Sequence, residues 1–142
     1  MNTILALRGR GNIGKSTTIG ILFQLLKNNG FEVIMEDWFG HEKKEILAII
    51  SKNDKKIGIS SRGDNGEEVS GNLNDLIKNN GCTICVTACR SYGKTNTAIF
   101  EYKEYAHKIL EKEIDETGDT VIREKQNRND AQRLIDEINK LV

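Results

Sequence analysis

Proline is absent from all 142 residues, so helix ends must be made by glycine and asparagine, and no proline-rich linker marks a domain boundary. Asn-Asn-Gly serves that role twice, at Asn28-Asn29-Gly30 and Asn79-Asn80-Gly81, where glycine or asparagine can take the left-handed conformation that closes a helix. Net charge is also lacking: 21 lysines and arginines balance 21 aspartates and glutamates. No global field therefore draws the chain toward nucleic acid or an anionic membrane, and neither is expected as a partner. No apolar run approaches membrane-spanning length, and the opening Met1-Asn2-Thr3-Ile4-Leu5-Ala6-Leu7-Arg8 has no basic leader. A cytoplasmic protein is expected, with residues 1–142 forming a single domain of a size able to bury a core.

Cysteine is scarce, and the three present cluster at Cys82, Cys85 and Cys89. Their spacing invites a metal or iron–sulfur reading. Their setting, Cys82-Thr83-Ile84-Cys85-Val86-Thr87-Ala88-Cys89, reads instead as a β-strand. Cys82 and Cys85 would then point to opposite faces about 10 Å apart along the chain, too far to share an ion. Reduced, partly buried thiols are expected.

What is present is an alternation of β-branched runs with amphipathic stretches, the pattern of an α/β domain with a parallel sheet. Five strands are predicted, at residues 3–8, 31–36, 56–61, 82–88 and 120–124. Helical spacing recurs between them, at Ile19, Leu22, Phe23 and Leu26; at Ile46, Ile49 and Ile50; and at Val69, Leu73, Leu76 and Ile77. Two further helices are predicted, one carrying Ala98, Tyr102, Tyr105, Ala106 and Ile109, the other Ala131, Leu134, Ile135 and Ile138. The tyrosines read as core packing rather than a stacking platform.

The strongest local signal is Gly9-Arg10-Gly11-Asn12-Ile13-Gly14-Lys15-Ser16-Thr17. It matches G-x-x-x-x-G-K-[ST] in full and lies between a predicted strand and a predicted helix. The glycines let successive amides curl around phosphate oxygens, and the following helix adds its positive end. Lys15 would reach the β- and γ-phosphates, and Ser16 would place its hydroxyl on Mg²⁺. On these residues the chain resembles the P-loop NTPase superfamily, over roughly its first 30 positions and beyond them by α/β alternation alone. The resemblance implies a three-layer sandwich around a mostly parallel five-stranded sheet, and a nucleoside triphosphate with Mg²⁺ as ligand. It does not choose between small-molecule kinases, switches and motor ATPases.

In an open parallel sheet the ligand lies beyond the carboxyl ends of the strands, so the residues after each strand are the further candidates. After the third, Asp64 can fill the metal-holding role of a Walker B acid or belong to an Asp-Asn-Gly turn that caps the next helix. After the fourth, Ala88-Cys89-Arg90-Ser91-Tyr92-Gly93-Lys94-Thr95 repeats the loop spacing with alanine for the first glycine. Arg90 and Lys94 there can stabilise charge at the γ-phosphate or form a solvated basic loop. After the second stand Glu36 and Asp37, then Trp38 and Phe39. In the nucleoside and nucleotide kinases that this chain resembles, an acceptor-binding acid occupies such a position, so Glu36 or Asp37 could orient an acceptor hydroxyl with an aromatic stacked beside it. Trp38 and Phe39 can equally pack a helix against the sheet edge. The basic residues Arg123, Lys125, Arg128 and Arg133 alternate with acids and read as a solvated helix face.

Two absences sharpen the expectation. No Asn/Thr-Lys-x-Asp sequence of guanine recognition appears, which favours adenine, and no arginine-rich lid insertion is evident. The reading is an ATP-binding, kinase-like or ATP-hydrolysing domain with Lys15, Asp64, Glu36, Asp37 and Arg90 as candidate catalytic residues. The alternative is a regulatory nucleotide-binding module with little turnover that controls a partner.

Overall fold

The computed structural model describes residues 2–142. It is an α/β structure whose single six-stranded sheet has the order β2-β3-β4-β5-β1-β6. The strands are β1 (Thr3–Arg8), β2 (Glu32–Phe39), β3 (Glu45–Lys52), β4 (Lys55–Ser60), β5 (Ile84–Cys89) and β6 (Ala106–Glu111). The helices are α1 (Lys15–Lys27), α2 (Gly66–Asn74, continued by a π-turn at Asp75–Asn79), α3 (Lys94–Phe100) and α4 (Thr120–Asn139). β4, β5, β1 and β6 pair in parallel, whereas β2, β3 and β4 form an antiparallel meander. The sheet is thus mixed, with six strands where five were expected and with three of its five pairings parallel.

Each face of the sheet buries its own apolar cluster. Leu5 and Leu7 of β1 turn toward α1 and α4, meeting Ile19, Leu22, Phe23, Leu134 and Ile138, while Ile4 and Ala6 turn toward Val69, Leu73 and Ile99 of α2 and α3. This split is the two-residue period of a strand covered on both sides. β1 lies between β5 and β6 and is fully buried at Ile4 through Leu7. Its carboxyl end, where the glycine-rich segment begins, is paired on both sides, Arg8 lying opposite Cys89 and Glu111.

Three expected elements are corrected. Ile46, Ile49 and Ile50 belong to β3 and not to a helix. All three are buried, Ile46 and Ile50 in one cluster and Ile49 in the other. A strand buried on both faces reads as a continuous apolar run, which helical spacing matches by accident. Its hairpin to β4 turns at Asn53 and Asp54, both at positive φ (53° and 63°), the geometry of a tight two-residue connection. The long helix expected through Tyr102 and Ile109 is instead α3, ending at Phe100, followed by β6. Tyr102 and Tyr105 meet each other edge-to-face and pack against the second cluster, and the Tyr105 hydroxyl donates to the Cys82 carbonyl at 2.7 Å. The strand expected at 120–124 is the first turn of α4. Asp119 caps it, accepting from the amides of Val121 (2.9 Å) and Ile122 (3.2 Å), and capping outweighs the β-preference of Thr-Val-Ile.

The thiols also differ from expectation: Cys82, Cys85 and Cys89 all lie in the same apolar cluster, because β5 begins only at Ile84. All three are fully buried, and that burial pushes Cys82 and Cys89 up to about 11 and Cys85 higher still. Iodoacetamide at neutral pH should label none of them in the folded chain and all three in urea, as read by intact-mass spectrometry.

A buried ion pair fastens α4 to the sheet. Asp130 is fully buried and meets Lys112 at 2.8 Å, Arg133 at 2.7 Å and the Glu113 amide at 3.0 Å. Removing one partner strands the other charge away from water. Asp130→Ala should cost about 3 kcal/mol or more in urea denaturation.

Candidate functional site

β1 ends at Arg8, and the chain then folds over the carboxyl ends of β1 and β5 before α1 begins. The Gly9 amide donates to the Cys89 carbonyl at 3.1 Å, tying the start of the loop to the end of β5. Asn12 takes φ 60° and Gly14 φ 96°, so the loop closes back on itself just ahead of α1. At Gly14 glycine is required twice over. The positive φ disfavours any side chain, and an added Cβ would lie 2.5 Å from Oδ1 of Asn127.

α1 starts at Lys15 with no side chain capping its first turn, so its leading amides open onto a cleft of about 420 Å³. This cleft is lined by Asn12, Gly14, Lys15, Ser16 and Thr17, by Lys44, Glu45, Ser61, Gly63 and Asp64 from the opposite wall, and by Arg123 and Asn127 of α4. Unpaired helix amides and the helix dipole are the features that favour an anion.

Lys15 crosses the floor of that cleft. Its side chain is buried, and Nζ donates to the Gly9 carbonyl at 2.5 Å and to the Cys89 carbonyl at 2.9 Å. An ammonium carries three protons, so one remains for a ligand. Burial, and secondarily the Arg90 guanidinium, holds its pKa below that of a free lysine. In an NMR titration of the lysine side chains without ligand, Lys15 should deprotonate ahead of the exposed lysines as the pH rises.

Ser16 donates its hydroxyl proton to Oε1 of Glu45 at 2.8 Å, and Ser61 donates to Oε2 of the same carboxylate at 2.7 Å. The Ser61 hydroxyl in turn accepts from the Ile46 amide at 2.8 Å. Two hydroxyls and a carboxylate form an all-oxygen set of the kind a hard divalent cation takes. The residues therefore fit a Mg²⁺ at Ser16.

Arg90 follows β5 and lies against the loop, within contact distance of any side chain that replaced Gly11. Its backbone is fixed at both ends, its amide donating to the Thr95 hydroxyl at 2.9 Å and its carbonyl accepting from Asn96 at 2.9 Å. Its guanidinium meets Asp64 at 3.2 Å. Asn65, not Asp64, caps α2, accepting from the Glu68 amide at 2.9 Å.

Other expected residues do not reach the cleft. Glu36 lies within β2, where its carboxylate accepts from Trp38 Nε1 at 2.8 Å and from Lys27 at 3.0 Å. Those two hydrogen bonds, Trp38 first, lower its pKa. Asp37 is the next residue of the same edge strand and is exposed. Trp38 packs edge-to-face on Phe23 of α1, and Arg62 lies over the Phe39 ring. Lys94 opens α3 and borders a separate groove between α2 and α3. Arg10 is exposed and lines a second cavity of about 530 Å³ beside the loop, with Gly11, Asn12, Ile13, Ile114, Gly118 and Arg123 among its walls.

Glu45, Ser61, Arg123 and Asn127 were not foreseen. Arg123, exposed like Lys125 and Arg128, nevertheless donates to the Asn12 carbonyl at 3.1 Å, so one residue of the solvated face of α4 reaches the loop. A carboxylate at the start of an apolar run, one hairpin turn beyond the second strand, was the available signal for Glu45.

Comparison of the chain with protein-family models, with curated proteins and with solved structures finds no match in any of the three. The class that the coordinates themselves define is an α/β protein with a six-stranded mixed sheet and four helices. Among the described residues no helix is long and apolar enough to cross a membrane.

Proposed function

We propose that this chain is a P-loop nucleotide-binding domain that holds ATP with Mg²⁺ and acts on its terminal phosphate. The observation that carries the reading is Lys15: a buried ammonium on the floor of a cleft, at the uncapped start of α1, with the glycine-rich loop folded around it. A buried lysine with one free proton and a rim of helix amides favours a polyphosphate over any neutral ligand.

In this reading Gly9 to Gly14 wrap the phosphates with their amides, Lys15 draws charge from the β- and γ-oxygens, and Thr17 lines the same wall. Arg123 adds a cation from α4. Arg90, its backbone held by Thr95 and Asn96 and its guanidinium by Asp64, supplies a positive charge at the loop without a partner protein. Mg²⁺, when bound at Ser16, would neutralise charge between the β- and γ-phosphates. The cavity between Arg10 and the 114–118 loop gives the nucleoside half a place beside the phosphates. Adenine is favoured because no guanine-recognition sequence is present.

Saturating Mg²⁺–ATP should raise the melting temperature by about 5 °C or more at a hundredfold excess over Kd. Lys15→Ala should abolish that rise, measured against the variant's own melting temperature without nucleotide, which the loss of its two buried hydrogen bonds should lower. An unchanged rise would remove Lys15 from the site. Phosphate release with ATP alone, set beside a screen of nucleosides, nucleotides and small alcohols, separates hydrolysis from transfer. No turnover in either, with a nucleotide-dependent change in elution volume, would instead identify a regulatory module.

A further inference from the structure

The loop sequence nominates Ser16 for the metal but leaves its acidic partner open, and the two carboxylates in the cleft are placed very differently. Asp64 has a side chain 65% exposed, and it faces the Arg90 guanidinium at 3.2 Å. A divalent cation there would compete with a fixed positive charge. Glu45 forms no ion pair with any lysine or arginine of the described residues. Both of its oxygens are instead directed by hydroxyls, Oε1 by Ser16 and Oε2 by the almost fully buried Ser61.

The direction of those hydrogen bonds matters. Ser16 donates its only hydroxyl proton to Glu45, which leaves the lone pairs of Oγ free for a cation. Ser61 donates to the carboxylate while accepting from the Ile46 amide, so its orientation is set by the backbone of β3. The carboxylate is thus held in place before any metal arrives, by an element outside the phosphate loop.

We infer that Glu45 is the carboxylate that meets the divalent cation beside Ser16, directly or through its water, and that Asp64 serves as the anchor of Arg90. This rests on the nucleotide-binding reading above. It also places the acid on the antiparallel part of the sheet: Glu45 opens β3, and its register partner is Phe39 at the end of β2. Between them the chain turns through Gly40, Glu42 and Lys43, all at positive φ. Glu45 is therefore tied directly to a turn whose backbone is already strained at two non-glycine positions.

The test is calorimetry of a non-hydrolysable ATP analogue with the full chain, in EDTA and in Mg²⁺, taking the ratio of the two affinities. In the native chain Mg²⁺ should tighten binding at least about tenfold. Glu45→Gln should reduce that gain to about twofold or less while leaving the EDTA affinity equal or better, since one negative charge is gone from the cleft. Asp64→Asn, at an exposed position that should not disturb folding, should keep the full gain. If Glu45→Gln does not fold, Ser61→Ala takes its place and should lose about threefold or more of the gain with EDTA affinity unchanged.

A full gain in Glu45→Gln or Ser61→Ala, or a lost gain in Asp64→Asn, would overturn the assignment. So would a native chain that binds the analogue equally with and without Mg²⁺, although nucleotide binding itself would then stand. Absence of binding in both buffers would sink the nucleotide reading as well.

Discussion

The buried ammonium of Lys15 is the interaction on which the rest of the site depends. An unpaired charge at that depth would be costly, and the chain meets the cost with two carbonyls from neighbouring strand ends, Gly9 after β1 and Cys89 at the end of β5. The same two hydrogen bonds that satisfy the lysine also fix the loop's first residue against the sheet. Shape and charge in the cleft are consequently one property. Opening the loop would pull the Gly9 carbonyl away from the ammonium, and removing the ammonium would take one donor from each of the two carbonyls.

Around this centre the remaining contacts hold the walls. α4 contributes Asn127, packed against Gly14, and Arg123, bonded to the Asn12 carbonyl. Its position is set a turn or two further along by Asp130, where Lys112, Arg133 and the Glu113 amide converge. On the other side Gly63 runs so close to the Ala88 carbonyl that no side chain would fit, which brings the segment after β4 alongside the end of β5. Ser61 and Asp64 reach the cleft because of that approach. The site is therefore assembled from five separate stretches of chain, only one of which carries a recognisable pattern.

That is why the sequence revealed the loop and little of what surrounds it. The glycine spacing, the strand before it and the helix after it are local features, and local chemistry decides them. β1, α1, the Asn-Asn-Gly helix ends and the apolar face of α4 were legible for the same reason. β3 was not, because a strand buried on both faces carries no two-residue alternation, and its isoleucines happen to repeat at helical spacing. Misplacing β3 hid Glu45. Arg123 read as one more residue of a solvated helix face, and its approach to Asn12 follows from where the C-terminal helix packs, not from its own charge pattern. Glu36 and Asp37 looked like strand-end residues because β2 continues three residues beyond its predicted close, which leaves both acids on the sheet edge.

The order of pairing in the sheet has a consequence for how the molecule comes to exist. β2, β3 and β4 are joined by short turns and can zip together from residues close in sequence. β1 has to wait: its partners begin at Ile84 on one side and Ala106 on the other. Closing contacts over such separations is slow relative to hairpin formation. β1 thus stays without a partner strand until Ile84–Cys89 has been made, and the carbonyl of Cys89 that receives Lys15 comes into reach in the same step.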